Sequence, residues 1–516
     1  MPVEQAPRGS ASVIARNSAF VMAAQAGLKV LAFLFQVFVV RSLGGVEYGK
    51  FATVLAYLSV FAIFSDIGLG PYMVREIARD GDRAHSLLPN AMAIRAMLSV
   101  LVIIVATGSA VLAGYSADIV TGIFIAGLGL FLYAVQGPLD ALVIARERLD
   151  LSAIMTLINQ VIFMTVGGIM LYAGVGFTGL ILATLLGVGV WGAALWWLAR
   201  RELGLRPARI DIRAWRPLCI AALPFGVGGV AMALMGRIDT VVLSLAREAP
   251  PSFLAGSTCS LCLPTEAYRY VVSGEQLVGW YAVPVNLMLM TLLVAQSVAL
   301  AMYPTLVREY KRDPESIRNP LRQVILYLVM ISLPIAVGAT ALADKIIITL
   351  YTNEFIPSIL VLQIVIWAVP MLFVSEILGY VAIVLGKERQ LAQRDILSAV
   401  VMIALNLALI RALGLLGAPL AYVSGRLVYV TLRQHLVGVR LTFSRKTLWA
   451  LARVAAAAGV MGVGVFLLRD QPLLLTIGAG MAIYALALAA FEVMGLSEVS
   501  RLAALILRRP QPQNVV

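Results

Sequence analysis

The fold is decided by the first long apolar run of the chain, residues 18–40, which read SAFVMAAQAGLKVLAFLFQVFVV. Lys29 is the only charged residue in the run. A bilayer core of about 30 Å is crossed by a helix of about 20 apolar residues, so this run predicts a spanning helix. It is longer than the core of a cleavable signal and lacks a small-x-small exit, so we interpret it as the first transmembrane span.

The composition of the whole chain agrees with this interpretation. Of the 516 residues, 61% are hydrophobic and 13% are charged, against roughly half and a quarter in a soluble domain. A single soluble globule of this length would not have enough polar residues to cover its surface. The chain has three cysteines and two histidines, which argues against a disulfide framework and a Cys/His metal site. We predict no metal and no other cofactor.

Similar apolar runs recur along the chain and predict an all-α integral membrane protein with about 14 transmembrane helices. The predicted spans lie near 18–40, 51–70, 91–114, 119–145, 151–173, 178–199, 217–245, 278–303, 324–343, 358–385, 396–412, 415–436, 448–468 and 473–494.

Basic residues in the loops between these spans form two alternating sets. The rich set includes Arg75, Arg79, Arg83, Arg146 and Arg433, whereas the poor set holds only Arg41, Lys50, Arg247, Arg269, Lys345, Arg411 and Arg469. The positive-inside rule places the rich set and both termini in the cytoplasm, with the protein in the inner (plasma) membrane. This distribution accounts for the net charge of +13 without nucleic acid as a partner.

Two short echoes indicate an internal repeat. Residues 176–183 read GFTGLILA and residues 414–421 read GLLGAPLA, and each stretch opens a predicted span. We therefore predict two six-helix lobes in a pseudo-two-fold parallel repeat, 1–215 and 216–440, followed by two extra C-terminal helices and a cytoplasmic tail, 441–516. An external insertion at about 247–276 contains Cys259 and Cys262, which are a redox pair, a small disulfide hairpin or incidental cysteines.

Ionisable side chains inside a span cost about 2.5–3.5 kcal/mol each, so they usually face a polar interior. The candidates for a cationic substrate-binding cavity, together with one neutral amide, are Lys29, Arg237, Arg426, Arg95 and Asn286. The candidates for ion coupling or ion pairing are Asp66, Asp239 and Glu376. Lys29 and Arg237 lie deepest in their runs, and the alternative to a cavity role is structural pairing, such as Lys29 with Asp66. A cationic cavity suits an anion such as pyrophosphate, because an ion pair at about 4 Å is worth about 4 kcal/mol at an effective dielectric of 20.

Several motifs resemble those of polysaccharide-export flippases of the O-antigen type. They are VRSLGGVEYG at 40–49, SDIGLG at 65–70, LPFG at 223–226, RIDT at 237–240 and VGWY at 278–281. The resemblance implies the fold of the multidrug/oligosaccharidyl-lipid/polysaccharide (MOP) exporter superfamily, with two six-helix lobes and two further helices. It also implies a cationic cavity built from the first, second, seventh and eighth spans, which contain Lys29, Arg237 and Asn286. The external insertion departs from the family pattern.

The function that this resemblance implies is transport. The protein would flip undecaprenyl-pyrophosphate-linked oligosaccharide from the cytoplasmic to the outer leaflet by alternating access. Its partners would be this polyprenyl-pyrophosphate-linked glycan and membrane lipids, with a polysaccharide polymerase and other assembly proteins as further candidates.

The sequence leaves three rival functions. A cation-coupled multidrug exporter of the same superfamily commonly carries cations, so a positive cavity argues against it. A non-transporting scaffold of a polysaccharide assembly complex is compatible with the basic loops. Asp80 and Asp82 match the Asp-x-Asp of many glycosyltransferases, but their loop has no room for a nucleotide domain, so we predict that the protein is not an enzyme.

Overall fold

The computed structural model describes residues 9–201, 209–246, 273–313, 316–438 and 445–491. Within these ranges the chain forms helices and turns, with no strand. The α-helices are α1 Gly9–Asp66, α2 Leu69–Arg79, α3 Ala84–Leu112, α4 Ala117–Ala145, α5 Leu149–Tyr172, α6 Phe177–Arg201, α7 Trp215–Ser244, α8 Gly274–Arg312, α9 Arg318–Ala341, α10 Ala343–Leu350, α11 Ser358–Val365, α12 Ala368–Val384, α13 Glu388–Leu413, α14 Gly417–Val437, α15 Arg445–Leu467 and α16 Leu473–Ala490.

Many of these helices are long and apolar enough to cross a bilayer. Over the described residues there are 10 such stretches, or 11 if the bent pair α11 and α12 forms one span. Large apolar side chains such as Leu112 and Leu474 are 90% and 83% exposed, which in water would be unfavourable for so many residues. Small residues such as Ala110 and Ala134 are buried instead, as expected where helices approach closely in lipid. The chain is therefore an all-helical, multi-pass membrane protein, as its apolar runs predict.

Two of these stretches contain an internal break. Gly44 has φ 72° and ψ −179° and interrupts α1 where the sequence predicts a loop between two spans. Residues 388–437 form a stretch of 50 residues, which as one straight helix would be about 75 Å long, more than twice the bilayer core. Gly414, with φ 57°, separates its two parts, and α13 packs along α14, so this stretch folds back on itself.

The chain divides into two compact units, Met1–Ala233 and Leu234–Val516, hereafter the N-terminal unit and the C-terminal unit. In the N-terminal unit α4 packs on α3 and α6, and α5 packs on α6. In the C-terminal unit α12 packs on α8 and α14, α13 packs on α14, and α15 packs on α9 and α16.

Some sequence predictions lie outside the described residues. The external insertion predicted at about 247–276 falls there up to residue 272, together with Cys259 and Cys262, and so does the C-terminal tail from residue 492. The lobe boundaries at 215 and 440 and the cytoplasmic location of the termini stay predictions.

Candidate functional site

The N-terminal unit contains a cavity of about 440 Å³. It is lined by residues of α1, α3, α4 and α6 and by Ala233 of α7, and the lining is mainly apolar. Three hydroxyl groups in the wall donate to carbonyl oxygens of their own helices: Ser59 to Ala56, Ser65 to Ala62 and Thr184 to Leu180. The charged residues that line it are Arg95 and Asp66.

Arg95 and Asp66 form an ion pair across this cavity wall. The Arg95 Nη1 lies 3.1 Å from the Asp66 Oδ1, and the two side chains are 12% and 24% exposed. Both residues are sequence candidates because each is a charge within a predicted span. The structure brings these two together, and Asp66 pairs with Arg95 on α3, whereas the sequence suggested Lys29 as its partner.

Asp66 occupies a break in the backbone. It is the last residue of α1, and the next two residues, Ile67 and Gly68, have φ values of 47° and 83° before α2 begins at Leu69. A left-handed conformation is strained for a β-branched residue such as isoleucine. A Cβ at position 68 would collide with backbone atoms of α7 between Ala222 and Gly226, so only glycine fits there. The break directs the Asp66 carboxylate to the N–H of Gly70, from which Oδ1 accepts a hydrogen bond of 3.3 Å.

Arg95 is held against α4 at a glycine. A Cβ at position 137 would lie 2.8 Å from the Arg95 Cζ, closer than side-chain atoms approach one another. The Arg95 Nε is buried and, within the described part of the chain, has no hydrogen-bond acceptor. The guanidinium therefore has a defined position and an unused donor.

A second polar cluster lies in the C-terminal unit, around the fully buried Asp239 of α7. Its Oδ2 accepts a hydrogen bond from the Tyr281 hydroxyl of α8, and its Oδ1 accepts one of 2.7 Å from the N–H of Thr240. Arg237, two residues earlier, is exposed. The two charged residues therefore occupy different faces of α7.

Aromatic and cationic side chains alternate along one face of α14. The Arg426 Cζ lies 4.8 Å from the Tyr422 ring centroid and 5.6 Å from that of Tyr429. The Arg433 Cζ lies 4.1 Å from the same Tyr429 ring. Contacts of this geometry are cation–π interactions. They place Arg426, a sequence candidate, in a packed stack of side chains.

Most of this second cluster was not predicted from the sequence. Arg433 was counted as a loop cation, but it is buried and paired with Asp395 of α13. Tyr281 was named only as part of the VGWY motif, and Tyr422 and Tyr429 were not selected. The available signal was the spacing of four, three and four residues from 422 to 433, which puts side chains on one helical face.

The remaining candidates lie on α1, α8 and α12. Lys29 is exposed on α1, and Asn286 on α8 is half-buried. Glu376 of α12 is half-buried and close enough to Arg433 for an electrostatic interaction. The predicted roles of Lys29, Arg237, Asn286 and Glu376 in binding or coupling stay predictions.

The sequence as a whole matches a known family. The profile described as "Polysaccharide biosynthesis protein" matches residues 14–310, which is more than half of the chain, and a second profile with the same description matches residues 271–360. The chain belongs to the polysaccharide biosynthesis protein family. The resemblance predicted from the motifs is thereby confirmed. No curated protein matches the chain.

Solved structures show that this family member has the fold of MOP transporters. A lipid II flippase, MurJ, in an inward closed conformation superposes with a TM-score of 0.71 at 13% identity, covering 92% of this chain and 98% of MurJ. An inward-facing multidrug resistance MATE transporter of the MOP superfamily gives 0.61 at 15% identity, covering 80% and 96%. A MOP superfamily transporter from Pyrococcus furiosus gives 0.52 at 15% identity, covering 82% and 94%. At these identities the likeness establishes the fold.

Proposed function

We propose that the protein flips undecaprenyl-pyrophosphate-linked oligosaccharide from the cytoplasmic to the outer leaflet by alternating access. The observation that carries the proposal is the combination, in one chain, of a polysaccharide biosynthesis sequence with the fold of a lipid II flippase. The cavity of the N-terminal unit supports it, because Arg95, paired with Asp66, places a cation in a mainly apolar wall.

The proposal includes a specific topology. The 10 apolar stretches become 12 when the two parts of α1, and the helices α13 and α14, are counted separately. Adding α7 and the bent pair α11 and α12 gives about 14 spans, each long enough for a bilayer. Two six-helix lobes are supported by matching packing, since α4, α5 and α6 pack together as α12, α13 and α14 do. Gly176 and Gly414, which open the two echoes in the sequence, both have positive φ. An even number of spans puts both termini on the same side of the membrane, and the positive-inside rule makes that side the cytoplasm.

The membrane potential supplies a driving force for this reaction. Moving a negative headgroup out of a negative cytoplasm is favourable by about 2.3 kcal/mol per charge per 100 mV. The loaded step then needs little further energy, and ion coupling, through Asp66 or Glu376, would serve to reset the empty carrier.

No catalytic role is proposed. Asp80, the first residue of the Asp-x-Asp pattern, accepts a hydrogen bond of 3.1 Å from the Asp82 N–H and caps a short turn. Its carboxylate also lies 3.9 Å from Arg83. These contacts are those of a solvated turn between two helices.

A multidrug exporter is the second candidate, because the MATE fold also matches. A cationic substrate in the cavity of the N-terminal unit would have to compete with Arg95 for the Asp66 carboxylate, which disfavours this alternative. A scaffold without transport activity is the third.

Reconstitution in liposomes tests these alternatives. We expect the wild-type protein to flip a fluorescent undecaprenyl-pyrophosphate oligosaccharide and expect Lys29→Ala and Arg237→Ala to lose most of this activity. Arg411→Ala, which removes an exposed cation from the end of α13, is the matched control and should remain active. Uptake of an organic cation without lipid flipping would favour the exporter. Absence of flipping in liposomes, together with intact polysaccharide export in cells that carry the variant without both candidate cations, would favour the scaffold.

A further inference from the structure

We propose that Arg95 is an anion-binding residue whose site is occupied by the Asp66 carboxylate when no cargo is bound. A phosphoryl group of the cargo binds Arg95 by displacing this carboxylate. This inference rests on the proposed function. It adds that Arg95 binds the anion of the cargo and that Asp66 competes with this anion for Arg95.

The Arg95 ion pair is incomplete compared with the pair between Arg433 and Asp395. Arg433 contacts Asp395 through Nε and Nη2, and its Nη1 donates to the Ser375 carbonyl oxygen. Arg95 contacts Asp66 through Nη1, while its Nε is buried without an acceptor within the described residues. A guanidinium has five N–H donors arranged to bind two oxygens of a carboxylate or phosphate at once. A phosphoryl group would therefore satisfy Arg95 better than Asp66 does.

The Asp66 carboxylate can leave Arg95 without becoming an isolated buried charge. Its Oδ1 also accepts from the N–H of Gly70, and the side chain is 24% exposed. Asp395, by contrast, is 10% exposed in its pair with Arg433. Breaking a fully buried pair leaves an unpaired charge, which costs much free energy. The less buried pair, Arg95 with Asp66, is therefore the one that can exchange its carboxylate for another anion.

The surroundings of Arg95 favour an anion from within the cavity. The cavity of about 440 Å³ has room for a phosphoryl headgroup. The hydroxyl groups of Ser59, Ser65 and Thr184 already donate to carbonyl oxygens of their own helices. An anion in the cavity would therefore be bound through Arg95 and not through these three hydroxyl groups. Gly137 lets the guanidinium approach α4 closely, so the cation stays in place when Asp66 is displaced.

Binding of inorganic pyrophosphate, measured by calorimetry on the full chain in phosphatidylcholine nanodiscs, tests the exchange. Asp66→Asn removes the competing charge and should bind roughly tenfold more tightly than the wild type, the factor expected for one charge-assisted contact. Arg95→Gln should not bind. Asp140→Asn removes a carboxylate from α4 that accepts a hydrogen bond from Ser152, and as the matched control it should bind like the wild type.

A folded Asp66→Asn variant with unchanged or weaker binding would overturn the inference, and so would binding retained by Arg95→Gln. If Asp66→Asn does not fold, the double variant Asp66→Asn/Arg95→Gln is used, because it leaves neither charge of the pair without its partner. The inference requires that this double variant does not bind, and binding by it would overturn the inference.

Two further arms separate the possible outcomes. In phosphatidylglycerol nanodiscs the pyrophosphate affinity should persist, whereas its loss would assign Arg95 to an ordinary anionic lipid and overturn the assignment to cargo. Flipping of lipid-linked oligosaccharide is measured on the same preparations. Tighter binding by Asp66→Asn without wild-type flipping would refute the proposed function alone. Wild-type flipping without the Asp66→Asn effect would refute the exchange alone.

Discussion

Arg433 of α14 holds Asp395 of α13 in a two-pronged ion pair, with Nε 3.2 Å from Oδ1 and Nη2 3.0 Å from Oδ2. The third nitrogen of the guanidinium donates to the Ser375 carbonyl oxygen of α12 at 3.0 Å, and the Tyr429 ring covers one face. One side chain thus joins three helices of the C-terminal unit, which indicates a structural role for this pair.

Asp395→Asn should destabilise the protein by about 3–5 kcal/mol, because it leaves the Arg433 charge buried without its carboxylate. The measurement is unfolding in detergent mixtures followed by tryptophan fluorescence. Asp150→Asn breaks the exposed pair with Arg148 and should change stability by less than about 1 kcal/mol. Equal effects of the two substitutions would contradict the structural role, and the apolar double variant Asp395→Leu/Arg433→Met should recover much of the loss.

Tyr281→Phe should also reduce stability, by about 1–3 kcal/mol, because the buried Asp239 loses a hydrogen-bond donor. Phenylalanine keeps the ring packing, so the change isolates the hydroxyl group. The control is Tyr172→Phe at the end of α5, where the side chain is exposed. A Tyr281→Phe variant as stable as the wild type would mean that the Asp239 carboxylate does not depend on this hydrogen bond.

Gly137→Ala should impair transport with little effect on stability. The added methyl group displaces the Arg95 guanidinium, the flexible end of a long side chain, and leaves the helix backbone in place. Gly108→Ala on α3 has open space around the new methyl group and should keep its activity with a gain of up to about 1 kcal/mol, as alanine replaces glycine inside a helix. Equal transport by the two variants would show that the position of Arg95 does not matter.

Gly68→Ala should be far more damaging than Gly174→Ala. Both glycines have positive φ, at 83° and 75°, so each substitution carries about 1–2 kcal/mol of backbone strain. The methyl group at 68 would also meet the α7 backbone, whereas that at 174 meets nothing within 4 Å. Thermal unfolding of both variants isolates this difference, and similar melting temperatures would contradict the close contact between the break after Asp66 and α7.

The sequence predicts the helical membrane fold because a bilayer constrains the chain so strongly that length and apolarity of each run suffice. It also selects Asp66 and Arg95, since charges inside spans are few. Their pairing was not predictable, because it depends on a backbone break at Ile67 and Gly68 and on the packing of α3 against α4. Asp395 and Arg433 were missed for a similar reason. They lie near helix ends, where a charged residue normally reaches the membrane surface, and only the packing of α13, α14 and α12 buries them.

The dependence of flipping on membrane potential tests the central claim, that the cargo is an anionic lipid-linked glycan, most directly. Liposomes carrying the wild-type protein and fluorescent undecaprenyl-pyrophosphate oligosaccharide are given a potassium diffusion potential, and an impermeant quencher measures the labelled lipid in each leaflet. The cargo should accumulate in the leaflet facing the positive compartment, with a bias of about 2.3 kcal/mol per charge per 100 mV. A distribution that ignores the potential, or one no different from that of protein-free liposomes, would contradict the account.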